Sequence, residues 1–281
     1  MISKLDHLIV AVKDLDEAES NYKKIFGVEP VWMGEHKELG TANVIFNFKN
    51  TYFELLASNG VGLGSDFVNT TIEESGEGLI GSVLGSENIK LTFDSIKNKG
   101  HLLGDISDGE GTNLKNNEIR KWKNLFLPLE LTRGIFTFII EHTEGNLPIP
   151  NRFNDASINK LDHVVITTND ADGFIEIYRD IFDIRLALDK VIEHWNTRML
   201  FFRLNETTIE VVAKEHNNKN PDELWGLAWE VESIANTRKR LINEGVEITE
   251  IKDGIKENTL VATIKSHTHD VPTLLIQHIT K

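Results

Sequence analysis

The sequence predicts an α+β fold made of two similar domains, and a long internal repeat is the main reason. Lys4-Leu-Asp-His7 opens the first half, and Lys160-Leu-Asp-His163 opens the second half 156 residues later. At the same offset, Glu54 aligns with Glu210. A repeat that keeps a histidine and a carboxylate inside apolar runs indicates one duplicated module that retained its pocket residues.

Both halves also predict the same order of elements. Leu5–Val12 and Leu161–Thr167 are rich in Leu, Ile and Val, as strands are. Asp14 or Asp16 then supplies a helix N-cap, apolar residues recur at helical spacing, and Gly27 suits a C-cap. Two strands follow in each copy: Asn43–Phe48 with Tyr52–Ala57, and Arg198–Leu204 with Thr207–Ala213.

A second, weaker helix-and-strand pattern completes each half. Helices are predicted over Glu87–Lys99 and Glu232–Glu244, each followed by glycine, and the glycines of Asn59–Gly64 predict a flexible connection. Further strands are predicted at Trp122–Leu127, Phe136–His142, Leu260–Lys265 and Thr273–Ile279. Each domain is therefore predicted to consist of two β-α-β-β-β units, with curled mixed sheets around a cleft. Prolines and asparagines between residues 143 and 159 place the boundary near residue 150, giving domains 1–150 and 151–281.

Composition restricts the partners. The formal net charge is −14 with no block of basic residues, which argues against nucleic acid or an anionic membrane surface as a partner. No apolar run approaches the length of a membrane span, and no signal peptide is evident, so a cytoplasmic location is expected. Without cysteine the chain has no thiolate ligand or nucleophile. A homodimer is a candidate assembly that the sequence leaves open.

The chain resembles the vicinal oxygen chelate superfamily, which includes glyoxalase I, extradiol dioxygenases and antibiotic-resistance binding proteins. The first half is similar in particular to the glyoxalase-like domain family, over nearly all of residues 4–142. This resemblance is carried by Leu5-Asp6-His7, Gly34-Glu35-His36, Leu39-Gly40-Thr41-Ala42-Asn43, Tyr52-Phe53-Glu54-Leu55-Leu56, Trp122 and the run from Phe136 to His142. The second half matches only the general superfamily pattern. The resemblance implies tandem vicinal oxygen chelate domains.

The resemblance also implies a divalent metal site. In metal-bearing members, the first, fourth, fifth and eighth strands supply the imidazole and carboxylate ligands, and two substrate oxygens chelate the ion. Transferred to this chain, the ligands are His7, Glu54 and Glu141, while Gly81 stands where the fifth-strand histidine is expected. Such a site suits Zn, Fe, Mn or Ni. The matching positions of the second half are His163, Glu210, Gly226 and Gln277.

Other residues are candidates for binding the ligand. His36 and Asn43 flank the entry to a strand, where a loop can overhang a pocket. Arg120 and Trp122 offer an anion-binding fork and an aromatic wall, although their mixed charged run is typical of a solvated strand. The second half has a comparable set in His194, Trp195 and Arg198, for which packing at the surface is the alternative interpretation.

Two classes of function agree with these observations. The first is a divalent-metal-dependent lyase, isomerase or dioxygenase that acts on a small oxygenated metabolite, with Glu54 and Glu141 as catalytic residues. The second is a metal-free protein that sequesters a small molecule in the same cleft. We expect the working site in the first domain, because Gln277 replaces a carboxylate in the second. A purely structural second domain is a further alternative.

Overall fold

Two eight-stranded sheets dominate the computed structural model, which describes residues 1–150, 153–193, 196–214 and 222–279. The strands of the first sheet are β1 (Ile2–Ala11), β2 (Trp32–His36), β3 (Thr41–Asn47), β4 (Tyr52–Ser58), β5 (Gly78–Ser86), β6 (Ser107–Asn113), β7 (Ile119–Phe126) and β8 (Phe136–Glu144). Those of the second are β9 (Ile158–Thr168), β10 (Arg185–Ile192), β11 (Thr197–Leu204), β12 (Thr207–Lys214), β13 (Glu223–Val231), β14 (Lys252–Asp253), β15 (Thr259–Ile264) and β16 (Thr273–His278).

Helices connect these strands, and those that follow β1, β5, β9 and β13 lie at the predicted places. They are α1 (Leu15–Phe26), α2 (Leu63–Ser75), α3 (Ile89–Asn98), α4 (Leu129–Thr132), α5 (Ala171–Ile175), which continues as a π-helix over Glu176–Ile181, and α6 (Ile234–Asn243). Asp14 caps α1 by accepting a hydrogen bond from the Glu17 amide at 2.9 Å, and Gly27 ends it with φ of 69°. Asn88 and Ser233 cap α3 and α6 in the same way.

Both sheets have the same topology, which confirms the predicted α+β fold of repeated β-α-β-β-β units. β1 pairs in parallel with β4 and antiparallel with β5, and β9 repeats this arrangement with β12 and β13. The first sheet closes into a barrel because β2 pairs with β6 through Gly34 with Asn113 and Glu35 with Thr112. The second sheet has the order β10-β11-β12-β9-β13-β16-β15-β14 and stays open.

The prediction of a flexible connection at Asn59–Gly64 was wrong in part, because α2 begins at Leu63. The sequence hides this helix, since Gly62 at its N-cap offers no side-chain oxygen. The glycines here allow close packing of two loops. A Cβ at Gly40, which has φ of +68°, would come within 2.7 Å of the Val61 backbone.

One apolar core joins the two sheets. Trp229 of β13 packs on Phe26 and Phe48 of the first half, with ring centroids 5.0 and 4.7 Å apart. Asn50, in the turn before β4, donates to the Leu161 carbonyl and to Thr207 Oγ1, both at 2.8 Å. The division into domains 1–150 and 151–281 stays a prediction, although the change of sheet falls between β8 and β9.

Candidate functional site

Several polar side chains point into the barrel, because alternate residues of each strand face its inside. Ile9, Val83, Phe138 and Ile140 pack in a cluster separate from the main core, to which Leu8 contributes instead. Because neighbouring residues of a strand face opposite sides, the face that carries Ile9 and Phe138 is the inner one. The inner-facing polar residues include His7, Asn43, Tyr52, Glu54, Arg120 and His142.

Asp6 links two histidines from opposite ends of the first half. Its Oδ1 lies 2.9 Å from His7 Nδ1 and 2.9 Å from His142 Nε2. A register shift between Leu5 and His7 interrupts the alternation of β1, so that Asp6 and His7 reach the same cluster. Burial alone would raise the pKa of Asp6, yet the hydrogen bonds from His142 and His7 hold that pKa well below its usual range. Asp6 is therefore an ionised acceptor.

These contacts indicate which nitrogen of each imidazole donates a hydrogen bond and which accepts one. A guanidinium can only donate, so the 3.4 Å contact from Arg120 Nη2 makes His142 Nδ1 an acceptor. The proton of His142 then lies on Nε2 and is donated to Asp6. His7 donates its Nδ1–H to the same carboxylate, so that in the neutral form of the ring Nε2 is the nitrogen without a proton.

His7 Nε2 faces a carboxylate that is itself held in place. Glu54 Oε2 lies 3.4 Å from His7 Nε2, while Glu54 Oε1 accepts from Asn43 Nδ2 at 2.7 Å. Trp32 Nε1 donates to Asn43 Oδ1 at 3.2 Å, which fixes the orientation of the amide. His7 also stacks on Tyr52 with ring centroids 4.3 Å apart. A base and a carboxylate thus converge on one point inside the barrel.

Arg120 and His36 complete the lining. Arg120 is 6% exposed, and its guanidinium carbon lies 5.4 Å from the Trp32 ring and 5.6 Å from the Tyr52 ring. The solvated strand expected around Arg120 is thus contradicted at this residue. His36 Nδ1 lies 3.0 Å from Thr41 Oγ1, and its ring meets Trp122 edge-on at 5.8 Å. Burial lowers the pKa of His36, an effect that the charge of Glu54 opposes and that of Arg120 reinforces.

Glu141 was predicted as a metal ligand and catalytic residue, and the structure places it elsewhere. It lies on the helix-facing side of β8, where Oε2 accepts from the Ile89 amide at 2.7 Å at the start of α3. His142, the next residue along the strand, faces the inside instead. The sequence interpretation took the carboxylate as the inward residue of this strand, whereas in the structure Glu141 caps a helix; its roles as metal ligand and catalytic residue stay predictions.

The second half repeats the cluster with altered surroundings. Asp162 holds His163 Nδ1 at 2.7 Å and His278 Nε2 at 2.6 Å, and Gln277 caps α6 through the Ile234 amide at 2.9 Å. Glu210 lies 3.7 Å from His163 Nε2, and burial raises the pKa of Glu210. Arg198 pairs with Asp189 and Asp172, while the predicted candidates His194 and Trp195 lie outside the described residues.

The sequence interpretation missed Asp6 and His142, although the repeat contained a signal for both. Asp6 precedes His7 as Asp162 precedes His163, and a histidine follows both Glu141 and Gln277. A pair of aligned histidines at the end of the last strand of each half could have been read as inward-facing.

The barrel residues do not fit the three-ligand metal site that the resemblance implies. His7 Nε2 and Glu54 Oε2 converge, but Glu141 is turned away, and a Cβ at Gly81 would come within 3.0 Å of the Phe136 ring. Catalytic sites of this kind use three protein ligands. In the part of the chain that the structure describes, one group has three ligand atoms within 4.8 Å of one another: Asp162, Glu230 and His278. Lys160 already lies 3.5 Å from Glu230 as a cation there.

Comparisons with known proteins agree with this architecture. A family model described as a glyoxalase-like domain matches residues 5–159, and one described as the glyoxalase/bleomycin resistance protein/dioxygenase superfamily matches residues 162–263. No curated protein sequence gives a significant match. Among the described residues, no helix is long and apolar enough to cross a membrane.

Solved structures share the fold at low sequence identity. A triple mutant of 4-hydroxymandelate synthase from Streptomyces coelicolor is 13% identical with a TM-score of 0.71, over 100% of this chain and 94% of its own. A hypothetical protein from Staphylococcus aureus is 12% identical with a TM-score of 0.69, over 98% and 100% of the two chains. The Mn(II)-bound glyoxalase from Novosphingobium aromaticivorans is 13% identical with a TM-score of 0.64, over 99% and 83%. These likenesses show the tandem fold.

Proposed function

Because the chain belongs to the glyoxalase-like domain family, we propose that its first barrel binds a small oxygenated metabolite and transfers a proton on it. The observation that carries the proposal is the approach of His7 Nε2 to Glu54 Oε2 at 3.4 Å. The other polar atom of each side chain is occupied, by Asp6 and by Asn43. Only the facing atoms are left to act on a ligand.

The contacts of the pair support acid–base chemistry. Neutral His7 presents an unprotonated Nε2, which can take a proton from a carbon or hydroxyl of the metabolite. Asp6 accepts a hydrogen bond from the Nδ1–H of His7. It therefore keeps the ring in one orientation and stabilises the imidazolium that forms. Glu54 is the second group within reach: its Oε2 takes the abstracted proton from His7 Nε2, 3.4 Å away, and returns it to another atom of the metabolite. The product is an isomer or an eliminated fragment, as isomerases and lyases give.

The donor set gives no reason to route this chemistry through an ion. Two protein ligands converge in the barrel, and the third predicted ligand caps α3. The proposed reaction is therefore independent of added metal. A second candidate function is sequestration of the metabolite without chemistry. It is favoured by the closed barrel and by the aromatic contacts of His7 with Tyr52 and Phe138, which suit a binding pocket.

Hydrogen–deuterium exchange of carbon-bound protons tests the proposal. Chelator-treated protein in D2O is mixed with a set of small hydroxy and oxo acids, hydroxy aldehydes and diols, and deuterium incorporation is followed by proton NMR. We expect exchange on at least one compound, lost by more than tenfold in His7→Gln and Glu54→Gln, because each removes one of the two proton carriers. The matched variants His163→Gln and Glu210→Gln in the second half should retain it.

Other outcomes assign the function differently. Saturable binding without exchange in the wild-type protein would support sequestration. Exchange that requires added Mn²⁺ or Zn²⁺ and disappears in Glu230→Gln would transfer the chemistry to the second sheet. Equal loss in the variants of both halves would contradict the assignment to the first barrel.

A further inference from the structure

Arg120 is a buried cation whose hydrogen-bonding capacity is partly unused. It is 6% exposed, and its Nε finds no hydrogen-bond acceptor within the described ranges of the chain. Its guanidinium contacts His142 Nδ1 through Nη2 at the long distance of 3.4 Å and also hydrogen-bonds the Tyr52 side chain. A buried N–H without an acceptor is costly, because it has lost its water without replacement. The Nε–H can therefore donate to an acceptor that the described residues do not supply, such as an oxygen of a bound ligand.

The charges around Arg120 do not satisfy it. Asp6 Oδ1 accepts from two histidines, and Lys4 Nζ lies 2.8 Å from Asp6 Oδ2. Glu54 is engaged by Asn43 and faces His7. Both carboxylates of the cluster thus have other partners.

We propose that Arg120 is the anchor for an acidic group of the metabolite, so that the first barrel takes a small organic carboxylate. This inference rests on the proposed function, since it names the class of ligand for the same site. The free Nε–H and a neighbouring Nη–H form the two-pronged edge that matches the two oxygens of a carboxylate. His142 accepts from the same guanidinium and holds it in the plane in which the ligand must approach.

The aromatic contacts favour a carboxylate over a phosphate. The Trp32 and Tyr52 ring centroids lie 5.4 and 5.6 Å from the guanidinium carbon, so aromatic rings occupy the space beside the guanidinium. A planar carboxylate lies in the guanidinium plane alongside these rings, whereas a tetrahedral phosphate projects oxygens out of that plane. The charge of Glu54, which also acts on His36, repels a doubly charged phosphate more strongly than a monoanion.

NMR of the arginine side chains tests the inference directly. The Nε–H resonance of Arg120 in the ¹⁵N-labelled full chain is identified by its absence in Arg120→Lys and followed during titration with glycolate, pyruvate and inorganic phosphate. We expect a saturable shift with a carboxylate, weaker or absent with phosphate, and binding about 10- to 100-fold weaker in Arg120→Lys. Arg203→Lys is the control, because Arg203 Nη1 already donates to Thr208 Oγ1 at 2.7 Å in the second sheet.

Each further outcome decides one point. No saturable shift with any of the three anions in the wild-type protein would overturn the inference, even if Arg120→Lys failed to fold. A shift with phosphate alone would replace the proposed ligand class. Carboxylate binding that survives in Glu54→Gln, while proton exchange is lost, would separate the Arg120 anchor from the proposed chemistry. Proton exchange on neutral compounds without anion binding would leave the proposed function standing and reject this inference.

Discussion

At the scale of single residues, the first barrel is organised by hydrogen-bond direction. Asp6 accepts from His7 and His142, and Asn43 donates to Glu54 while accepting from Trp32. Each reactive atom is thus oriented by a partner that has its own partner. Such chains of buried polar groups specify one arrangement, since a change at one member leaves another unsatisfied. The orientation of His7 therefore depends on Asp6, which is itself held by His142.

His36 makes this cluster sensitive to pH. Burial lowers the pKa of His36 below its usual value of 6.5. Between the two pKa values the unfolded chain is protonated at His36 and the folded chain is not. The stability that His36 contributes is present above pH 6.5 and is lost as the pH falls toward the folded-state pKa. We expect the free energy of unfolding of the wild-type chain to fall with decreasing pH in this window, by at most about 1.4 kcal/mol per pH unit from this group.

Urea unfolding between pH 5 and 7.5 measures this effect when the wild-type chain is compared with His36→Gln. The variant should show a flatter dependence, because it has no imidazole to protonate. His101→Gln is the control, since His101 pairs with Glu130 outside the barrel. Parallel pH profiles for His36→Gln and the wild-type chain would show that His36 is not the group responsible.

At the scale of elements, the sequence predicted most of the architecture because periodicity and caps are local signals. Asp14, Gly27 and the 156-residue repeat fixed the first helix and the order of the strands. The closure of β2 on β6 could not be read, because pairing between distant strands has no local signature. The side toward which Glu141 points was also missed, since a one-residue change of register moves every side chain to the other face.

The cap on α3 provides a test at this scale. Glu141 and Gln277 occupy equivalent positions and accept from the amides of Ile89 and Ile234 at the starts of α3 and α6. Glu141→Ala should therefore lower the free energy of unfolding by about 1–2 kcal/mol, as the loss of a helix cap does. Glu141→Gln should lower it by less than about 0.5–1 kcal/mol, since the amide oxygen keeps the hydrogen bond and loses only the interaction with the helix dipole.

Chemical denaturation measures both variants, and deuterium exchange on the metabolite measures their chemistry. The proposed proton transfer should survive in Glu141→Gln, because Glu141 lies outside the barrel. Loss of exchange in that variant with unchanged stability would restore the original assignment of Glu141 as a catalytic residue.

At the scale of the whole molecule, the two sheets share a core rather than meeting at a polar interface. Arg240 of α6 donates to the Ile25 carbonyl at 2.9 Å and to the Lys24 carbonyl, both in the last turn of α1, where carbonyls lack partners within the helix. Tyr22 donates to the Thr268 carbonyl at 2.8 Å, and Trp229 packs against Phe26. The second half thus completes the helix end and the apolar face of the first. We infer that the halves unfold together, which also gives the second half a structural role alongside any ligand of its own.

Asn50 is the sharpest test of this coupling. Its carboxamide is 6% exposed, donates to the Leu161 carbonyl and Thr207 Oγ1, and accepts from the Leu161 amide at 3.1 Å. Asn50→Ala leaves a buried backbone amide and carbonyl of β9 without these partners, so we expect a loss of about 2–4 kcal/mol. If the sheets unfold as one unit, tryptophan fluorescence and far-ultraviolet circular dichroism should report a single shifted transition.

Asn98→Ala on the exposed face of α3 is the control and should change stability by less than about 0.5 kcal/mol. Two separated transitions in Asn50→Ala, with one keeping the wild-type midpoint, would show that the halves are independent folding units.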